Sequence, residues 1–377
     1  MTRRGFIELA GMAVLTVALP AWAAEPVWGG WQKGHFQVHF INDGGGEQQL
    51  WIMPDGTSML FDCAGKKVWQ YVMKVNPSGK SVDYMMASHY HGDHCSFDLV
   101  SKQLVFKKAI DRSWPTWEDP LPAMGWCQND RMRLEKVYKF IAARDGTTIE
   151  KFRLGATDQI VPLKDPAACA GFSVRNVCAN GRIAAKDGSI IDLYKDYIAR
   201  KHPKSVDENA MSIGVVVTYG AFRFYSAGDF SAFVPNADGS QVAIEDEIAK
   251  VVGHCQVAKL NHHACQGNPA GFVKAVSAKV WLNGMWNPPH HLTPDVCERL
   301  SDRKLYPGER LICPLWFPES RRQDEANRPY MKDFAPACFG KGGHIVIDVP
   351  PGGKTFTVTY LSLDGKMTVK SVNSFES

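Results

Sequence analysis

Short runs of apolar residues alternating with polar ones begin at Phe36 to Ile41, Gln49 to Met53 and Ser58 to Phe61. A period of two marks strands with one face in a core. Pro54-Asp55-Gly56 supplies a turn between the last two runs, so an opening antiparallel meander is expected. A helix-like stretch from Lys67 to Val75 leads to the apolar run Tyr84-Met85-Met86-Ala87, read as a strand. From 107 to about 206 the pattern is broken by glycine and proline around one helical stretch, Asp130 to Arg144, and reads as an insertion. Alternation returns in a hairpin, Ser212 to Tyr219 and Phe222 to Ala227, joined by Gly220-Ala221. Beyond it the pattern predicts a helix around Ala243 to Val252, a strand Val257 to Leu260, a helix after Pro269, a strand Lys279 to Leu282 and a helix near Pro294 to Leu300. A second irregular insertion, about 314–341, precedes two closing strands, His344 to Val349 and Thr355 to Leu361. Two successive sets of strands followed by helices predict an α/β fold, two sheets packed together with helices outside.

The first residues do not share this pattern. Thr2-Arg3-Arg4-Gly5-Phe6-Ile7, an apolar run from Leu9 to Leu19 and Ala21-Trp22-Ala23 read as a twin-arginine export signal over 1–23, cleaved after Ala23. The run is too short for a stable membrane span, and periplasmic or secreted residence is expected. The remainder, 24–377, reads as a single domain, with hydrophobic residues at 45% of the chain, ample for a core. The formal charge of +4 is too small to name a polyanionic partner, and no basic, aromatic-interleaved groove stands out, so nucleic acid is not indicated as a ligand. Ten cysteines are many for a reducing compartment, and several are expected to pair. The absence of Cys-x-x-Cys argues against a zinc ribbon or a thioredoxin-like site. Cys95 and Cys265 each follow a histidine closely, which leaves open a nearby disulfide or a thiolate ligand.

His89-Tyr90-His91-Gly92-Asp93-His94 packs three imidazoles and a carboxylate into six residues directly after an apolar strand. Such side chains are the usual ligands of hydrolytic zinc, and a tight turn can aim them in two directions, toward one or two ions. Further histidine and carboxylate candidates recur downstream at Asp229, His262-His263 and His291.

These residues resemble the metallo-β-lactamase superfamily, and within it the hydrolase domain of ComEC-type DNA-uptake proteins and their stand-alone relatives. Phe40-Ile41-Asn42-Asp43-Gly44-Gly45-Gly46 is similar to that group's F-I-D-V-G-Q-G opening, and Met59 to Gly65 to its strand ending in D-x-G. Glu208-Asn209-Ala210-Met211-Ser212-Ile213 is similar to E-N-N-x-S-L, Ala227-Gly228-Asp229 to T-G-D, and His262-His263-Ala264-Cys265 to H-H-G-S. Asn287 to Val296 is similar to N-x-x-G-H-P-H-P-E-V. The resemblance implies a four-layer αββα sandwich and a zinc centre of one or two ions, with manganese or iron(II) as alternatives. It implies that His89 and His91 hold the first ion, Asp93 and His94 the second, that Asp229 bridges them, and that His262 completes the second site. His263 would then face the substrate, although the roles of the pair could be exchanged. Asp62 would orient the loop, Asn209 would support the site, and His291 would meet an anionic oxygen of the substrate. The chain departs from the superfamily in lacking a clear further histidine for the first ion: between His94 and His254 only His202 occurs, without a motif around it.

Zinc lowers the pKa of bound water to about 7, so no serine or cysteine nucleophile is needed. Asp93, Asp229, His263 and His291 are the residues expected to take part in the chemistry. The resulting expectation is an exported zinc-dependent hydrolase acting on a small-molecule or phosphodiester substrate, the phosphodiester being favoured by the resemblance. β-Lactams, lactones, sulfate or other esters would use the same ions, and a non-catalytic periplasmic metal-binding protein is the alternative of a different class. Oligomeric state is not legible in the sequence.

Overall fold

A computed structural model describes residues 26–116, 125–193, 208–231, 233–235, 241–285, 291–340 and 342–377. The export signal, His202, His290, Trp117 and Asn287 lie outside the described residues. In chain order the first half contains β1 (Phe36–Phe40), β2 (Gln49–Ile52), β3 (Ser58–Phe61), α1 (Val68–Val75), β4 (Ser81–Met86), α2 (Gly92–Cys95), β5 (Val105–Asp111), α3 (Gly125–Asp145) and β6 (Thr148–Lys151). The second contains β7 (Phe172–Ala179), β8 (Arg182–Ala184), β9 (Ile190–Asp192), β10 (Gly214–Tyr219), β11 (Phe222–Ala227), a small ribbon of β12 (Phe233–Pro235) and β13 (Gln241–Ala243), α4 (Ile244–Val252), β14 (Val257–Lys259), α5 (Ala270–Val276), β15 (Val280–Asn283), α6 (Pro294–Ser301), β16 (Leu311–Pro314), α7 (Glu319–Asp324) and α8 (Met331–Ala337). The chain closes with β17 (His344–Val349), β18 (Thr355–Leu361) and β19 (Val369–Glu376).

Two mixed sheets result. The first runs β19-β18-β17-β1-β2-β3-β4-β5-β6, and the second β16-β15-β14-β11-β10-β7-β8-β9. Period-two alternation decides which side chains lie between them. Trp51, Phe61, Tyr84 and Met86 of the first sheet and Val215, Val217, Phe222 and Phe224 of the second form the inner core. Their neighbours Leu50, Leu60 and Met85 point the other way, onto α1 and α3, while Val216, Tyr225 and Trp281 point outward onto α4, α5, α6 and α8. The molecule is therefore a four-layer αββα sandwich.

The segment 107–206 is not an insertion in the way the sequence suggested: it supplies most of β5 and all of β6 to one sheet and β7 to β9 to the other. Of its strands, β6, β8 and β9 are only three or four residues long and lie at or next to a sheet edge, too short for alternation to show. Within 314–341 the irregular pattern hides two short helices, α7 and α8. The closing strands return to the first sheet, beside β1, and a third one, β19, lies at its edge.

No two of the ten cysteines are joined in the structure, and nine of them are buried. Cys63 and Cys95 lie on bridged backbone under α1 and α3, and burial pushes both thiols up. They pack as small apolar side chains.

No helix among the described residues is long and apolar enough to cross a membrane.

Candidate metal centre

In both sheets the parallel strands end on the same side of the sandwich, and the loops leaving those ends meet there. After β4, Ser88 N–H donates to Asp62 Oδ1 at 2.6 Å, and Ile213 N–H, from the second sheet's side, donates to Ser88 O at 2.9 Å. The segment 89–91 is thus held from both halves. His94 sits in the single turn of α2 and donates through Nδ1 to Asp62 Oδ2 at 2.8 Å. His89 faces Ser88 Oγ through Nδ1 at 2.9 Å, and its buried Nε2 has no protein hydrogen-bond partner among the described residues. The rings of His89 and His94 are 4.4 Å apart, and those of His89 and His91 4.6 Å.

The second sheet brings Asp229 and His263. Gly228 precedes the aspartate because a Cβ there would lie 2.6 Å from Ser212 Oγ and 2.7 Å from Ser88 Oγ, and Asp229 N–H donates to Ser212 Oγ at 3.0 Å. His262, His263 and Ala264 all take positive φ, which costs roughly 1–2 kcal/mol per residue for non-glycine side chains. That unusual turn sends the two histidines apart. His263 is buried and places Nε2 at 2.9 Å from Asp229 Oδ2, 3.1 Å from His94 Nε2 and 3.4 Å from Asp93 Oδ2. His262 turns to Ser231 Oγ at 2.8 Å and toward Asn209 at 3.4 Å. The structure thus brings His263, and not His262, to the place beside Asp229 and His94 that the sequence reading gave to His262.

Two residues at the centre went unnoticed in the sequence. Glu47, fully buried, accepts His263 Nδ1–H at 3.0 Å and lies 3.2 Å from the buried Lys259 Nζ. Lys259 also donates to Gly228 O at 3.1 Å and stands 3.8 Å from Asp229 Oδ1. Gly46 makes this approach possible: with φ at +47°, its missing Cβ would meet Asp93 O at 2.4 Å, and the next residue, Glu47, donates its N–H to that same oxygen at 2.8 Å. The available signal was Glu47-Gln48-Gln49, three polar residues leading into a buried strand.

The arrangement demands positive charge. Burial opposes ionisation of Asp229, but His263 and His94 more than reverse it and hold its carboxyl well below the usual range. Burial likewise opposes ionisation of Asp93 and Glu47. His263 and His94 bring Asp93 down, and Lys259 and His263 bring Glu47 down. Burial lowers the basicity of His94, yet Asp229 and Asp62 push it up to about 10. With Nδ1–H of His94 and of His263 committed to carboxylates, loss of the second proton from each ring would turn two Nε2 lone pairs and Asp229 Oδ2 toward one another. Those three acceptors repel unless a proton or cation lies among them. Their separations of 2.9, 3.0 and 3.1 Å approach the roughly 3.3 Å edge of a tetrahedron of ligands about 2.0–2.1 Å from zinc. Glu47, His94, Asp229 and His263 each bring a donor atom within 4.8 Å of the others. The fixed Nδ1 partners are the outer hydrogen bonds that metal-ligating histidines require. The donor set fits a divalent cation.

Asp93, with its side chain 40% exposed, lies on the open side of the centre. His291 packs its ring 5.0 Å from that of His263, and its Nδ1 has no hydrogen-bond partner among the described residues. Burial and the neighbouring His263 lower it to about 4, so it is neutral near pH 7. Cys95 points into the core under α3, and neither it nor Cys265 belongs to the close donor group. Trp114 lies against Tyr138, ring centroids 6.3 Å apart, and so packs α3 onto the body. Comparison with protein-family models and with curated proteins gives no match for this chain.

Proposed function

We propose that the chain is an exported, metal-dependent hydrolase of the metallo-β-lactamase type, with a phosphodiester-type substrate. The observation that carries this reading is the convergence of His94, Asp229 and His263 on one buried point with Asp93 at its open edge, the outer nitrogens of both imidazoles being tied to carboxylates. These four residues, with His89 and His91 beside them, would hold the cation. When bound, zinc, or manganese or iron(II) in its place, supplies Lewis acidity and brings the ionisation of water into the neutral range.

The chain's own groups do the rest. Asp62 and Glu47 fix the tautomers of His94 and His263, so that both Nε2 atoms face inward. Lys259 offsets part of the carboxylate charge without reaching the open side. Asp93, partly exposed there, can accept a hydrogen bond from water. His291, neutral and adjacent to His263, can donate an N–H to a substrate oxygen on which charge builds. The preference for phosphodiesters rests on the sequence resemblance, and export rests on the twin-arginine segment.

The test is hydrolysis of bis-p-nitrophenyl phosphate beside a chromogenic cephalosporin, by purified protein of measured metal content. Chelator-sensitive turnover of the phosphodiester is expected, and it should vanish with the metal in His94→Ala. Turnover of the cephalosporin alone would move the substrate class. A His94→Ala protein with normal activity and metal content would refute the centre, and a parent that binds metal without any chelator-sensitive hydrolysis would be a binding protein.

A further inference from the structure

Between the two histidines His89 and His91 stands Tyr90, and no other residue of the loop is gripped so completely from behind. Its backbone N–H donates to Glu208 Oε1 at 2.9 Å. Its ring lies under the Arg112 guanidinium, 4.3 Å from the centroid. Its hydroxyl donates to Asp111 Oδ1 at 2.5 Å, while Tyr138 Oη–H donates to Oδ2 of the same carboxylate at 2.8 Å. Arg112 and Glu208 meet through two parallel hydrogen bonds, Nε to Oε1 at 2.9 Å and Nη2 to Oε2 at 2.8 Å, both side chains being fully buried. Arg112 is further fixed by Asn180, which accepts from Nη1 at 2.7 Å and donates back to Arg112 O at 2.8 Å.

A buried ion pair of this kind adds little to stability compared with a well-packed apolar pair, because desolvation cancels much of the attraction. Its geometry, by contrast, is demanding. The chain bends between Ser88 and Tyr90 and brings the His89 and His91 rings within 4.6 Å of one another, so a Tyr90 held by backbone, ring and hydroxyl fixes the stretch of backbone from which both imidazoles project. The three parts of the socket come from different places: Arg112 follows β5 in the first sheet, Asn180 follows β7 in the second, and Glu208 opens a short helical turn, Glu208–Met211, before β10. The residue after Glu208, Asn209, reaches His262. One turn of chain thus touches both the 89–91 loop and the 262–263 loop.

We infer that Glu208 and Arg112 are positioning residues, a buried clamp on Tyr90 that sets the direction of the His89 and His91 imidazoles and so the affinity of the centre for its cation. The inference rests on the metal reading above. Outer hydrogen-bonding groups of metal sites are worth about 10- to 100-fold in metal affinity, and an effect of that size is expected here although the clamp touches no ligand side chain.

The experiment uses cobalt(II) as the probe, in the full mature protein, with affinity measured by chelator competition and geometry by the visible absorption bands. The double variant Arg112→Met with Glu208→Met removes both charges together, so it should melt cooperatively near the parent, yet Tyr90 N–H loses its acceptor. Binding about 10- to 100-fold weaker with displaced bands is expected, while Tyr90→Phe, which keeps the N–H and the ring, should bind within a few fold of the parent. Parent-like affinity and bands in the double variant would overturn the clamp. If that variant does not melt cooperatively, the smaller double change Arg112→Leu with Glu208→Ala, which also removes both charges and the acceptor of Tyr90 N–H, decides instead: weaker binding with displaced bands supports the clamp, and unchanged binding overturns it. A parent that binds no cobalt would overturn the metal reading itself, a result distinguishable from all of these.

Discussion

Adjacent residues of the same type, His262 and His263, have opposite fates, and the difference is one of backbone direction. Both take positive φ, so the chain rotates sharply between them, and only His263 reaches Asp229 and His94. His263→Ala should therefore abolish metal binding. His262→Ala should keep the metal and change only turnover or KM, as measured by metal content and steady-state kinetics, and the reverse pattern would restore the assignment first made from the sequence. Glu47→Gln should weaken metal affinity about 10- to 100-fold, because His263 Nδ1 loses an anionic acceptor. His89, His91, Asp93, His94 and Asp229 were legible because ligand types crowd within six residues or sit at the end of a patterned strand. Glu47 was not, since its partner His263 is 216 positions away and the polar run Glu47-Gln48-Gln49 does not by itself say which residue turns inward to a site.

At the scale of elements, the loop that carries His263 is kept in its left-handed course by a carboxyl group below it. Glu245, in the first turn of α4, accepts Asn268 N–H at 2.7 Å and Asn261 Nδ2–H at 3.0 Å through Oε1. Asn261 N–H and Asn268 Oδ1 meet at 3.0 Å and close the loop on itself. Burial pushes Glu245 up from an ordinary 4.5 to about 8, only partly relieved by those donors. Below about pH 4.5 both folded and unfolded chains hold this proton. Between about 4.5 and 8 the unfolded chain has released it while the folded chain retains it, so this group's contribution to stability falls as pH rises and levels off above about 8. Glu245→Gln keeps an oxygen acceptor and cannot ionise. Its stability relative to the parent should rise between pH 5 and 8.5 in denaturant titrations, and parallel curves would show that the carboxyl is ionised in the folded protein. The elements themselves were read well where one face is buried: α4, β14 and β15 begin and end within a residue or two of the apolar pattern, and α5 begins after Pro269 as expected. β6, β9 and β19 were missed because edge strands bury too little to alternate clearly, as Val369–Glu376 illustrates with one buried residue in eight, and β8 because three residues are too few to show a period.

For the whole molecule, two successive sets of strands and helices were enough to anticipate two packed sheets, whereas the return of β17 to β1 could not be seen, because register between distant strands leaves no local trace. That topology gives the centre a mechanical role. Its donors come from both sheets: Glu47, Asp93 and His94 from loops of the first, Asp229 and His263 from loops of the second. A cation at their meeting point would cross-link the sandwich at one end, and without it Glu47, Asp62, Asp93 and Asp229 face one another with Lys259 and protonated imidazoles as their compensation. A ligand that binds only the folded chain stabilises it by about 4 kcal/mol at a thousandfold excess over its Kd. In a protein of this size that amounts to a Tm rise on the order of 5–10 °C. Chelation should therefore lower Tm by that amount, re-addition of zinc should restore it, and His94→Ala should melt at the same temperature with or without chelator. Identical melting of metal-loaded and chelated parent protein would mean that the donors do not share an ion across the two sheets, whatever each half binds alone.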